Sequence, residues 1–267
     1  MPPQRLFLDW NRPFLPSAVD YLVERYGSGG GLDMRGATVV MPGGRSARRL
    51  LELLVERAEA SGRVFAPPRI VTIGKLPELL YVAKRPFASD LAQQLAWVEV
   101  LRRAAPERIA PLLPHPPEID DLAGWLALGE MLGRLHRELA AEAMDFQSVV
   151  DCGKRIEGFG EQPRWQSLLA IRDDYLRLLD GLGLWDRQTA RLFDIRQGEC
   201  KTEDDIVLVG AADMNRAQRM MLDQVADRVT ALVFAPERLA DRFDEHGCLL
   251  SEAWQEAEID LAEERIQ

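Results

Sequence analysis

The sequence predicts an α/β protein, a parallel sheet interrupted by a mostly helical inserted lobe. Three observations carry this reading. Short apolar strands alternate with amphipathic helices through the first 80 residues, residues 90–197 carry helical patterns without a convincing strand, and strand signals return at Asp205. Strand-helix alternation implies right-handed crossovers and parallel pairing. At 267 residues the chain exceeds the usual single-domain size. The expected organisation is a discontinuous core at 1–85 and 200–250, a helical insert at 86–199, and an acidic tail at 251–267.

Each element follows from its own stretch. Residues 5–9 (RLFLD) form a short apolar strand, and residues 13–26 a helix. Residues 27–31 (GSGGG) read as a flexible turn or linker, because no strand precedes them and no helix follows. Residues 37–41 (ATVVM) are apolar throughout, as expected of a strand buried on both faces. PGGR leads from there into a helix over 46–60, with Leu50, Leu53, Leu54 and Arg57 at helical spacing. Residues 69–73 (RIVTI) form a third strand. The insert holds expected helices at 90–104, 119–142, 163–182 and 186–196, separated by PLLPHPPE and the glycine-bearing stretch 153–160. Trp97, Trp125 and Trp165 lie on them at spacings typical of core aromatics. The sheet resumes with residues 205–210 (DIVLVG), a helix over 215–226, and residues 230–234 (TALVF). The tail ends without a capping or turn signal, which suggests a piece of a longer protein.

Composition narrows the function classes. The apolar fraction is 47% and the charged fraction 28%, so most of the chain should fold. No apolar run approaches the roughly 20 residues that cross a bilayer, and the N-terminus lacks a secretory pattern. A cytoplasmic protein without membrane contact is expected. Cys152, Cys200 and Cys248 match neither a disulfide framework nor a zinc pattern. Net charge is −10, which disfavours uniform nucleic-acid binding. The charge is uneven, however: residues 1–89 carry 13 Lys or Arg against 8 Asp or Glu, leaving −15 for the remainder. From Pro236 onward there are 3 basic and 10 acidic residues. One cationic lobe on an acidic molecule is therefore allowed.

Gly43, Gly44, Arg45 and Ser46 are the most informative local feature. A glycine pair between a buried strand and a helix can offer backbone N–H groups and a positive helix end to an anion. Arg45, Arg48 and Arg49 add cations where a helix start disfavours them unless something negative sits there. The alternative is a tight turn with solvated arginines. Asp204 and Asp205 precede their strand, whereas catalytic groups of open α/β sheets gather beyond the carboxyl ends, so a structural role is expected. His115, His136 and His246 are too far apart in sequence for a local ligand motif. No GxSxG, HExxH or GxGxxG pattern is present. No catalytic residue, metal site or cofactor is expected.

The order of these segments resembles the N-terminal region of AddB-type proteins, relatives of the RecB and RecC subunits that process broken DNA ends. RLFLDWNRPFLPSAVDYLV resembles the family's opening strand and helix, where active superfamily-one helicases carry a phosphate loop. VVMPGGRSARRLLELL resembles the segment that touches single-stranded DNA, and PRIVTIGKLPELL the strand and helix after it. DDIVLVGAADMNRAQRMMLDQV resembles the segment that carries the magnesium-binding acidic motif. FDEHGCL also has the family's look. The resemblance implies a P-loop-helicase-like core, and a whole protein that belongs to the PD-(D/E)XK nuclease family, whose nuclease motif lies far toward the C-terminus. Nothing in these residues matches that motif.

The departures bear on function. A phosphate loop needs glycines, a lysine and a Ser or Thr. Here the first strand runs into Asp9, Trp10, Asn11, Arg12 and Pro13, with no glycine and no lysine. At the second motif Val209 is followed by Gly210, Ala211 and Ala212, and Asp213 is the nearest carboxylate. Asp9, Asn11, Arg12 and Asp213 thus mark a degenerate nucleotide site. The expected function is a non-catalytic helicase-like module of a double-strand-break repair protein. It would hold single-stranded or end DNA beside an AddA-like helicase-nuclease subunit. A protein-interaction scaffold without DNA contact is the alternative, and a small-molecule enzyme on an α/β fold a more distant third reading.

Overall fold

The computed structural model describes residues 2–28 and 30–255, so the expected acidic tail lies outside the described residues beyond its first part. In chain order the elements begin with β1 (Gln4–Phe7), α1 (Phe14–Tyr26), β2 (Gly27–Ser28), β3 (Gly31–Asp33) and β4 (Ala37–Met41). They continue through α2 (Gly44–Ala60), β5 (Val64–Ala66) and β6 (Arg69–Thr72). Six helices follow: α3 (Asp90–Arg103), α4 (Pro106–Ile109), α5 (Leu122–Ala141), α6 (Phe146–Gly153), α7 (Gln162–Gly181) and α8 (Arg187–Gln197). The last elements are β7 (Asp205–Val209), α9 (Arg216–Asp223), β8 (Val229–Val233) and α10 (Ser251–Trp254).

The chain forms two compact units. One comprises Met1–Leu80, Lys201–Met214 and Met221–Gln267, the other Tyr81–Cys200 and Asn215–Met220. The first is built on a five-stranded sheet of order β1-β8-β7-β4-β6, parallel at every pairing. All five residues of β4 are buried, because it lies inside the sheet with both faces covered. One face packs against α1 and α2 through Ala18, Val19, Leu22, Leu50 and Leu54, which meet Val39, Met41, Val207, Val209 and Leu232. Burying each such leucine or valine fully is worth about 1.5–3 kcal/mol. On β8 the opposite face is covered by the C-terminal segment: Val233, Ala235 and Phe243 pack with Phe7 and Trp254. The chain leaves this unit after Leu80 and re-enters at Lys201, whose N–H donates to the Leu80 carbonyl at 2.8 Å.

Residues 27–31 are not a free linker. Gly27–Ser28 pairs antiparallel with β3, and β3 pairs parallel with β5, making a small three-stranded sheet. Glycine is required there by close approach, since a Cβ at Gly27 would collide with the Val23 carbonyl at the end of α1. Gly30 takes a left-handed φ of 96° at the turn. Helix α2 starts at Gly44, two residues before the expected start, because the Ala47 N–H already donates to Gly43. Arg48 and Arg49 consequently stand in its second turn. α9 is shorter than expected, ending at Asp223 ahead of a separate 3₁₀ turn.

In the second unit, α3, α5, α6 and α7 bury Trp97, Leu132, Phe146, Ile171 and Tyr175 in one core. Trp97 and Tyr175 stack at 4.0 Å and 7°. Trp125 is buried, and Trp165 packs at the edge of the same cluster. α6, which no expected helix covered, is fixed by a capping box between Asp145 and Ser148. Among the described residues, no helix is long and apolar enough to cross a membrane.

Candidate nucleic-acid interface

The connections define where the sheet opens. β4 leads through α2 to β6 on one side, whereas β7 leads through α9 to β8 on the other. The strand order therefore switches direction between β4 and β7. Crevices at the carboxyl ends of such strands are the usual ligand positions of open α/β sheets. Two sequence-derived candidates follow these adjacent strands: the loop of Gly43 and Gly44 after β4, and exposed Asp213 in the loop after β7.

The first turn of α2 is open. Gly43 is its N-cap, with no side chain capping the helix, and Ser46 Oγ donates back to the Gly43 carbonyl at 2.8 Å. A Cβ on Gly43 or Gly44 would meet nothing within 4 Å, so the backbone is approachable from outside. Free N–H groups at a helix start attract anions. Arg45 and Arg48 are exposed and have no ion-pair partner among the described residues. Arg49 differs, because Glu52 at 3.0 Å and Glu56 at 3.2 Å hold its guanidinium on the flank of α2 and raise its pKa.

Sequence reasoning missed Lys75. It follows β6, whose Thr72 pairs with Met41 of β4, so it belongs to the same carboxyl edge as the glycine loop. It is exposed and without an ion-pair partner among the described residues. The signal, a Gly-Lys pair after a strand, is too common to select until the strand order makes β6 the neighbour of β4.

Asp9, Asn11 and Arg12 lie elsewhere, beyond β1 and separated from β7 by β8. Their loop is tied to the segment that follows β8. The Asp9 N–H donates to Ala235 at 3.1 Å, and the Trp10 N–H donates to the Asp9 carboxylate at 2.6 Å, while Pro13 has no N–H. Asp9 itself sits at φ 58°, a left-handed conformation that costs a non-glycine residue about 1–2 kcal/mol. Trp10 Nε1 donates to the Phe234 carbonyl at 2.8 Å, and Phe14 packs on Phe234 at 5.1 Å. Arg12 is tied to Asp20 at 2.7 Å, which also binds Arg57. Asn11 is exposed. At the end of β7, Gly210 has φ 62° and a Cβ there would come within 2.6 Å of the Phe14 ring. Aromatic side chains thus occupy the ground between β1 and β7.

Asp204 and Asp205 sit at the opposite, amino end of β7. Thr38 donates to Asp204 at 2.8 Å, Tyr26 to Asp205 at 3.3 Å, and Arg228 pairs with Asp205 at 3.4 Å. Burial and the Asp205 carboxylate push the Tyr26 hydroxyl up to about 12. Among the described residues, no group of three or more His, Cys, Asp or Glu is placed to hold a metal ion. Cys200 and Cys248 are buried and outside any disulfide, and Cys152 is exposed.

His136 and His246 are both buried, and His246 lies 3.0 Å from the Asp223 carboxylate, but His136 is the one set in a buried side-chain network. Its Nε2 lies 2.9 Å from Asp186, which also accepts from Tyr175 at 2.9 Å and from the Thr189 N–H at 2.7 Å. Burial works to raise the Asp186 pKa, but His136 and Thr189 outweigh it and hold it at about 2. Fifty positions separate His136 from Asp186. No sequence motif marks the pair, and only the helical packing brings it together.

Comparison with protein-family models finds no match to this chain. Comparison with curated proteins likewise finds none.

Proposed function

We propose that this chain is a non-catalytic, P-loop-helicase-like module of a cytoplasmic DNA double-strand-break repair protein. It grips the phosphate backbone of single-stranded or end DNA for an associated AddA-like helicase-nuclease subunit. The observation that carries the reading is the uncapped start of α2 at the switch between β4 and β7, with Arg45 and Arg48 unpaired among the described residues. Lys75 extends the same cationic edge. Support for a lost ATPase comes from the loop after β1, where the Asp9 and Trp10 N–H groups are already engaged and aromatic rings fill the neighbouring space. Contacts of this type read charge and geometry, so base preference should be weak.

The test is fluorescence anisotropy of a labelled single strand at several salt concentrations. Each phosphate contact on a single strand contributes about 0.7 to the slope of log affinity against log salt. Arg45→Ala with Arg48→Ala should therefore flatten the slope by about 1.4. An unchanged slope would remove DNA from this loop and favour the scaffold reading. Calorimetry with magnesium-ATP should give no saturable heat.

A further inference from the structure

The helical unit contains a cavity of about 410 Å³ between α3, α5 and the start of α8. That size falls within the range of roughly 300–1,000 Å³ typical of small-molecule sites. Its chemistry is donor-rich. Arg137 and Arg187 both line it, and neither has a carboxylate partner among the described residues. Gln188, 8% exposed, adds a side-chain amide. Of the acidic groups, Glu130 is engaged by Arg134 at 3.3 Å, and Asp90 is exposed in the first turn of α3.

Two nitrogens of residues in this wall are buried without a hydrogen-bond partner. His136 is 2% exposed, and because the ionised Asp186 can only accept, Nε2 is the ring nitrogen that donates to it. That leaves Nδ1 buried and unsatisfied. Arg187 Nε is likewise buried with no hydrogen-bond partner, although its guanidinium lies 5.7 Å from the Phe87 ring. Folded proteins rarely leave such groups unpaired. Arg137 and Trp97 close over the glycine of α5: a Cβ at Gly133 would lie 3.5 Å from Arg137 Nη1 and 3.6 Å from the Trp97 indole, in ordinary contact with both.

We propose that this cavity binds a small phosphate-bearing molecule, held by the forked guanidinium groups of Arg137 and Arg187, with Gln188 and His136 Nδ1 completing the contacts. A phosphate group has several oxygens facing different directions. One bound group can thus engage donors from α5 and α8 together, and guanidinium matches it bidentately. A monoanionic phosphate also carries a hydroxyl, the donor that an unprotonated Nδ1 requires. The site is in a different unit from the α2 loop and does not depend on the DNA-binding reading.

The probe is inorganic phosphate, titrated by calorimetry at constant ionic strength against potassium chloride, with acetate as a single-carboxylate comparison. Saturable phosphate binding is expected. Arg137→Gln with Arg187→Gln should weaken it by about tenfold or more, since charge-assisted forks are the strong contacts. Arg45→Ala with Arg48→Ala should leave it unchanged, which separates this cavity from the loop of the other unit. If the double glutamine variant fails to fold by circular dichroism, Arg187→Lys keeps the charge but loses the fork, and should still weaken binding severalfold. The His136 ¹⁵Nδ1 resonance should move with phosphate saturation. Absence of saturable binding, affinity insensitive to both arginines, equal binding of acetate, or a static His136 resonance would each overturn the assignment.

Discussion

Removing a single oxygen tests whether Asp186 organises the helical unit. Tyr175→Phe deletes the hydroxyl that donates to Asp186 Oδ2 at 2.9 Å and leaves the ring stacked on Trp97 at 4.0 Å. Asp186 is 1% exposed, so Oδ2 loses a hydrogen bond that water cannot readily replace, while His136 and the Thr189 N–H still hold Oδ1. A hydrogen bond to a charged group contributes about 1.5–3 kcal/mol, and that is the expected loss. Urea unfolding followed by near-ultraviolet circular dichroism should show a lower midpoint with an unchanged slope. The carboxylate adds a second signature. Its folded pKa of about 2 lies below the ordinary 3.8, so ionisation stabilises the fold above the unfolded value. That contribution, about 2–3 kcal/mol, is lost as pH falls from about 4 to about 2. Asp186→Asn should remove this part of the pH dependence. A Tyr175→Phe unfolding free energy within about 0.5 kcal/mol of wild type would refute the reasoning.

Other expected outcomes are equally specific. Arg49→Ala should change the salt slope of DNA binding by less than about 0.2, against about 0.7 for Arg45→Ala or Arg48→Ala, because its guanidinium is held by Glu52 and Glu56. Gly210→Asp should restore no nucleotide binding and should lower the thermal midpoint, since the left-handed backbone and the Phe14 ring both oppose a side chain; a midpoint at or above wild type would count against the aromatic plug. Thiol titration of the native protein should show Cys152 reacting fast, with Cys200 and Cys248 appearing only on unfolding. Burial holds the Cys200 thiol up at about 12, so its thiolate is scarce at neutral pH.

The main sheet was legible because β4, β7 and β8 are continuous apolar runs bounded by turn residues, and residues 90–197 carry no competing pattern. The small sheet was not, since β2, β3 and β5 are 2 to 3 residues long and pair across sequence gaps that no local pattern records. α6 carried a local sign, Asp145 three residues before Ser148, that passed unread between two longer helices. At the candidate interface, Gly43 to Ser46 stood out by spacing alone. The pairing of Arg49 with Glu52 and Glu56 was also within reach of helical arithmetic. Lys75 required the strand order, and the His136–Asp186 contact required the tertiary packing of α5 against the start of α8.

The hydrogen bond that joins Lys201 to Leu80 has a consequence for how the chain is made. β1 cannot pair with β8, nor β4 with β7, until β7 and β8 themselves have left the ribosome. During that interval β1, β4 and β6 are apolar segments with missing neighbours, the condition that invites aggregation. If Tyr81–Cys200 folds as soon as it emerges, its two ends are brought together and the remaining search resembles closing a short turn. Closure entropy grows with loop length by only about 0.6 kcal/mol per doubling, so the larger gain is in time rather than in final stability. The insertion would then act as a timed clasp, setting the moment at which β7 and β8 can complete the sheet.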